Sequence, residues 1–327
     1  LGSGSTDDSI DSGTAGMIIT PLTSGNTIGV GLTGKNMNIE AAELAEVTTA
    51  GGLTIGSLGV SGSITVTNIA NDDSDEITGI VTLIATEDAS TITFATTASI
   101  FHGLVALADS GVDDQVAVTT TGSILYLDGD YDGSADSPDQ IQFADGLTVT
   151  AKTKMTLESP SGSIVPAGEL TLVAGSGLTI VDHMTSSGSS KRLVIDADSD
   201  DNSDGTLTVF STKTVTTNNG EFVLTSFDLD LSGNINAGSS TITVHGAVAS
   251  QTMGVGDVDT NMEILDGELG RMSATGGLTV GSASSGELKV RGVTDGNSGA
   301  VATITLVATK ASTKVVFLTT ASAFNKG

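Results

Sequence analysis

Cysteine and tryptophan are absent from the 327 residues, and only 4 prolines, 2 tyrosines and 8 phenylalanines are present. Without cysteine there are no disulfides, no thiolate nucleophile and no thiolate zinc site. A core short of aromatics has to be built from Val, Ile, Leu, Ala and Thr. That suits a narrow interior lined by small and β-branched side chains better than a broad globular core. Basic residues are scarce too: 12 stand against 39 acidic ones, for a formal net charge of -27. Such a surface repels nucleic acid and anionic membranes and favours cations. No apolar run approaches the ~18 residues of a membrane span, so membrane insertion is not expected. The N-x-S/T signal for N-glycosylation is missing as well.

Glycine is plentiful at 42 residues but follows no G-X-Y period, which excludes collagen. A mean hydropathy of +0.20 argues against disorder in spite of the charge. The opening stretch LGSGSTDDSIDSGTAG reads as a flexible lead-in over residues 1–16. It carries no basic-then-apolar leader, so a processed or partial chain is expected.

The chain repeats itself. NTIGVG (Asn26–Gly31) returns as QTMGVG (Gln251–Gly256), and AELAEVTTAGGLTIGS (Ala42–Ser57) as GELGRMSATGGLTVGS (Gly267–Ser282). SGSITV (Ser61–Val66) returns as SGELKV (Ser285–Val290), and TTASIF (Thr96–Phe101) as TTASAF (Thr319–Phe324). The offset falls from about 225 to about 223, a loss that loops between strands tolerate. The expected organisation is one full repeat over 17–249 and the start of the next copy over 250–327, in the manner of linear repeat arrays.

Inside that long period, short runs such as GIVTLIA, STITFATT, LVALAD, SILYL, ELTLVA and RLVID alternate apolar and polar residues. Gly, Ser, Asn and Asp punctuate them, so they read as strands with one buried face. Only IEAAELAEV (Ile39–Val47) has a helical look, and its counterpart ILDGELGRM carries two glycines that weaken it. Leu147, Leu170 and Leu193 begin comparable runs about 23 residues apart. That spacing predicts an all-β solenoid whose rungs stack on one another. Tandem β-sandwich domains would show the same short strands; the shortage of aromatics favours the solenoid.

The residues Glu43, Leu44, Leu53, Ile55, Gly56, Gly62, Ile64 and Val66 lie in a pattern AEL…V…GLTIGS…SGSITV. It resembles repeats of filamentous-haemagglutinin-like exoproteins and related giant surface proteins, over about half the chain. The resemblance implies a right-handed parallel β-helix on a cell surface or in an extracellular fibre. It brings no catalytic residues with it.

The strongest local motif is DGDYDGSADSPD. Asp128, Asp130, Asp132, Asp136 and Asp139 occupy positions 1, 3, 5, 9 and 12, with Gly133 at position 6. This is the oxygen-ligand spacing of a calcium loop, with Asp in place of the usual final Glu, so bound Ca²⁺ is expected between two strands. A second loop, DADSDDNSDG, places Asp196, Asp198, Asp200 and Asp204 at positions 1, 3, 5 and 9. NDDSDE (Asn71–Glu76) lacks the spacing and reads as an exposed turn. GVGLTGKN (Gly29–Asn36) nearly matches a phosphate-binding loop but ends in Asn36 where Ser or Thr would hold Mg²⁺. His102, His183 and His245, the only histidines, lack zinc-ligand spacing.

No catalytic residue is therefore expected. The expected function is a structural subunit of an extracellular filament, hair or surface fibre that associates with itself head-to-tail. An adhesin passenger segment that binds cells or glycans is the alternative, and a polysaccharide-active β-helix enzyme a more distant one.

Overall fold

A computed structural model describes residues 9–135 and 137–325. The chain divides into two compact units, Leu1–Val165 and Pro166–Gly327. Each is a parallel β-solenoid. Strands are short and inward residues alternate with outward ones, as period-2 alternation requires.

In the first unit one sheet runs Met17–Ile19, Leu53–Gly56, Val81–Ala85, Leu104–Ala108, Leu125–Asp128 and Met155–Glu158. A second runs Met37–Ile39, Ile28–Val30, Ile64–Val66, Ile92–Phe94, Val112–Asp114 and Gln140–Phe143. A third holds Ser99–Phe101, Val118–Thr120 and Leu147–Ala151. The chain visits the three faces in turn and then climbs one rung, so neighbours in a sheet are one rung apart. Their registers are parallel throughout, which excludes the antiparallel pairs of a β-sandwich. The second unit follows the same plan. Leu170–Ala174, Leu193–Asp196, Phe222–Ser226, Thr241–Gly246, Gly277–Ser282 and Ile304–Ala308 form its longest ladder.

Stacking in register converts alternation into continuous inward ladders. Leu53, Val81, Leu104, Leu125 and Met155 lie one above another, all fully buried. Each such Leu, Ile or Val contributes about 1.5–3 kcal/mol relative to exposure. Threonines such as Thr54 and Thr82 pair on the outward side. One inward column is mixed: Val30, Val66, Phe94, Asp114 and Phe143.

Rung length varies. Leu104 pairs with Leu125, 21 residues on, and Leu170 with Leu193, 23 on. Leu125 pairs with Met155, 30 on, and Leu193 with Phe222, 29 on. Of these four, the two longer rungs carry the acidic loops, which bulge from the stack without disturbing its register.

The sequence repeat is a repeat of pairings. Ile28–Val30 pairs with both Met37–Ile39 and Ile64–Val66, and Met253–Gly256 pairs with both Met262–Ile264 and Leu288–Arg291. Ile10 pairs with Val47 as Ile235 does with Met272, and Met17 with Leu53 as Ile242 does with Leu278. The correspondence therefore starts at Ile10, ahead of Asn26 where the sequence match becomes visible. Part of the expected lead-in, Ile10–Asp11, is strand. The single helical turn Ala41–Leu44 recurs as Asp266–Leu269 in spite of Gly267. In both, the third residue reaches back: the Glu40 N–H donates to Glu43 Oε2 at 3.0 Å and the Leu265 N–H to Glu268 Oε2 at 2.9 Å. This half of a capping box outweighs the glycine.

Two glycines show why the repeat conserves them. Gly56 has φ +97 and Gly281 φ +92, and a Cβ on either would lie 2.2 Å from a carbonyl oxygen of the next rung, Ile84 or Val307. Gly59, at φ +63, faces open space. Gly59→Ala is expected to cost only the left-handed backbone penalty of about 1–2 kcal/mol. Gly56→Ala should cost more, because the neighbouring rung has to move. Equal urea midpoints for the two variants would remove close rung approach as the reason.

Candidate metal centre

The loop Asp196–Gly205 leaves the strand Leu193–Asp196 and returns into Thr206–Val209. Its start is tied to neighbouring rungs, since the Ala197 N–H donates to the Thr225 carbonyl at 2.9 Å and the Ser199 N–H to the Ala174 carbonyl at 3.0 Å. Two residues then take left-handed conformations, Asp201 at φ 56 and Ser203 at φ 74. Asp, Asn and Ser tolerate that region because short polar side chains bond locally. The loop closes at Gly205, where a Cβ would sit 2.0 Å from the Ala197 carbonyl oxygen.

This path folds Asp198, Asp200 and Asp204 onto one point. Carboxylate oxygens of the three lie within 4.8 Å of one another. Asp198 is fully buried; the other two are exposed. Neither Asp198 oxygen accepts a hydrogen bond of normal geometry. Burial pushes its pKa up, and the facing amides of Ser203, Gly205 and Asp204 pull against that. Asp200 Oδ2 accepts from Asn202 Nδ2 at 3.2 Å, and Asn202 Oδ1 accepts the Asp204 N–H at 3.2 Å. Asp196 stays outside the group. It accepts the Asp198 N–H at 3.4 Å, and burial raises its pKa.

Neither family models, curated proteins nor solved structures match this chain. What the loops do must follow from their own geometry.

The first acidic loop is built differently, although its spacing looked the better of the two. Among the described residues, no three of its carboxylates converge; Asp136 lies outside the described residues. Asp128 turns back to its own strand, where its Oδ1 accepts the Asp130 N–H at 3.1 Å. Tyr126 donates to Glu158 Oε2 at 2.5 Å and sits 3.4 Å from Asp128 Oδ2. Burial, aided by the Glu158 carboxylate, pushes Asp128 up to about 6. Asp130 is fully buried and its Oδ2 takes the Ser161 N–H at 2.5 Å. Asp132 is exposed and its Oδ1 takes the Ser134 N–H at 2.8 Å. Asp139 Oδ2 accepts the Ser137 N–H at 2.7 Å. Backbone amides thus answer the carboxylates of this loop one by one.

The remaining motifs are structural. Asn36 clasps Thr27, with Oδ1 accepting both the backbone N–H and the hydroxyl at 3.0 Å. Asn261 repeats the clasp on Thr252 at 3.1 and 2.8 Å. Gly29 lies buried on the strand Ile28–Val30, so no phosphate cradle forms there. Asn71–Asp73 makes one exposed 3-10 turn. His183 Nδ1 accepts the Thr214 N–H at 3.1 Å. The clasp and the Gly pairs recur at the offset of the repeat, and that recurrence is the signal by which sequence reading alone assigns them to structure.

Proposed function

We propose that the chain is a structural unit of an extracellular filament or surface fibre, extended head-to-tail by adding rungs. The observation that carries this reading is the repeat of pairings: Ile28–Val30 with Met37–Ile39 and Ile64–Val66 returns 225 residues on as Met253–Gly256 with Met262–Ile264 and Leu288–Arg291, so the rungs of one copy have the same build as those of the next. Among the described residues, Ile304–Ala308 and Val315–Phe317 register with Gly277–Ser282 and Leu288–Arg291. Their counterparts in the first copy, Val81–Ala85 and Ile92–Phe94, are covered by Leu104–Ala108 and Val112–Asp114. The difference is large: Phe94 is 0% exposed and Phe317 62%. A groove of about 310 Å³ opens there between Val301, Ile304, Leu306, Phe317 and Phe324. The covered copy shows what such a rung accepts, namely a parallel strand with small aliphatic residues facing in.

A further rung, from the next covalent repeat or from a second copy of the chain, offers such strands. Among the described residues, no strand registers with the outer edge of Met37–Ile39. Its counterpart Met262–Ile264 packs beside Asp228–Leu231, where the Glu263 N–H reaches Asp228 Oδ1 at 3.3 Å. Unpaired parallel edges recruit strands. Charge adds direction. The strands ITLVA and VVF carry no charge in a chain of net charge -27, so like-charge repulsion opposes side-by-side contact more than end-to-end contact. At the rung lengths seen within each unit, a 225-residue period holds about eight rungs rather than the ten that a uniform 22-residue rung implies. The expected axial repeat is then about 40 Å.

Sedimentation and electron microscopy test this. The chain is expected to form end-to-end oligomers that lengthen with concentration and with salt, as repulsion is screened. Phe317→Asp should leave monomers with unchanged circular dichroism. A monodisperse monomer under all conditions, or oligomers indifferent to Phe317→Asp, overturns the reading. No helix among the described residues is long and apolar enough to cross a membrane.

A further inference from the structure

We propose that Asp198, Asp200 and Asp204 bind a divalent cation of calcium's size. Three features converge, and none depends on the filament reading. The first is distance. Calcium takes oxygens at about 2.3–2.6 Å, so ligands on opposite sides of one ion stand about 5 Å apart. The 4.8 Å limit that contains the three carboxylates fits inside that span. Magnesium takes oxygens at about 2.0–2.1 Å in a strict octahedron, a geometry that carboxylates on an exposed loop meet less readily than calcium's flexible one.

The second feature is Asp198. It is fully buried, neither of its oxygens has a hydrogen-bond partner of normal geometry, and only the backbone amides of Ser203, Gly205 and Asp204 face it. Burial of an ionised group is tolerated only with a partner charge or a metal. The third is that none of the ion pairs described for this unit, Arg192–Glu221, Lys213–Asp182 and Lys314–Glu287, reaches the loop. Three carboxylates supply between three and six oxygens, depending on denticity, and exposed Asp200 and Asp204 leave room for water to complete the shell.

The cation would join residues on both sides of the left-handed turn and so fasten the loop closed. Its rival is an uncharged, protonated Asp198 with no ion. Calorimetric titration of chelator-treated protein with CaCl₂, at an ionic strength of about 0.15 M to suppress diffuse binding, separates the two. One saturable site is expected, weaker for MgCl₂. The double variant Asp200→Ala/Asp204→Ala, which changes only exposed side chains, should weaken binding at least about tenfold, and Asp198→Asn likewise. Asp130→Asn, in the first loop, should bind as the parent does. Calcium should raise the melting temperature of the parent and of Asp130→Asn but not of the other two variants. No saturable site, or undiminished binding by Asp200→Ala/Asp204→Ala, overturns the proposal.

Discussion

Phe94→Ala is expected to lower the stability of the chain by about 3–5 kcal/mol, read as a shift in urea midpoint at unchanged slope. Phe94 is fully buried and stands in register between Val66 and Asp114. A solenoid interior is narrow, and each inward side chain is held from above and below by its own column as well as from the two other faces. Neighbouring rungs are locked by their backbone ladders and cannot collapse into the space a ring leaves. The cost should therefore fall in the upper part of the range for large-to-small changes. One effect opposes it. The cavity would border the Asp114 carboxyl, and a water there would offer that group the partner it lacks. The double variant Phe94→Ala/Asp114→Val should then be less stable than additivity allows, because the water has nothing to hold. A loss below 1 kcal/mol on the scale of ordinary surface changes would mean that the column does not bear the packing load assigned to it.

Asp114→Val is expected to stabilise the chain near neutral pH by about 1–3 kcal/mol, the usual penalty of a buried polar group without a hydrogen bond. Asp114 is fully buried between Phe94 and Phe143 in register, and neither of its oxygens has a partner. Burial, with a smaller push from Asp113, holds its pKa well above the ordinary carboxylate value. The folded state therefore binds a proton that the unfolded chain has already released. Stability from this group is fully present below the unfolded value of 3.8 and is lost as pH rises through the folded value. The advantage of Asp114→Val should be smallest at about pH 4, where only the unpartnered neutral carboxyl costs stability, and grow towards about pH 7. Comparing variant with parent at each pH cancels the general self-repulsion of the acidic surface. A variant less stable than the parent at both pH values would show that Asp114 has a favourable partner.

Much of the architecture was legible beforehand. Period-2 runs such as LVALA and LTLVA name their own inward residues, and Leu104, Ala106, Leu170 and Leu172 are all buried as that pattern requires. The duplicated segments mark equivalent structure, and Gly56 and Gly281 mark the same close approach twice. The helical turn at Asp266–Leu269 was harder to read, because a propensity count sees Gly267 and misses the Glu268 side chain reaching back to the backbone.

The acidic loops were harder still. Spacing alone ranked Asp128–Asp139 above Asp196–Gly205, yet among the described residues, which leave out Asp136, the second loop is the one that gathers three carboxylates. In the first, amides such as that of Ser161, on a different rung, reach the carboxylates and spread them apart. In the second, the left-handed residues Asp201 and Ser203 turn the chain back on itself after its start has been tied to the neighbouring rungs.

Alternation, turn residues and the long repeat settle which side chains face inward and that strands dominate, because those properties are local and a strand's two faces are set by its own pleat. The tertiary structure alone decided that the strands pair in parallel as a solenoid rather than antiparallel in sandwiches, since both bury the same alternating pattern. It alone placed Asp114 between two phenylalanines and brought Asp198, Asp200 and Asp204 together. Rung-to-rung pairing partners lie some 19 to 37 residues away. A carboxylate's environment is fixed by those partners, not by its neighbours in sequence.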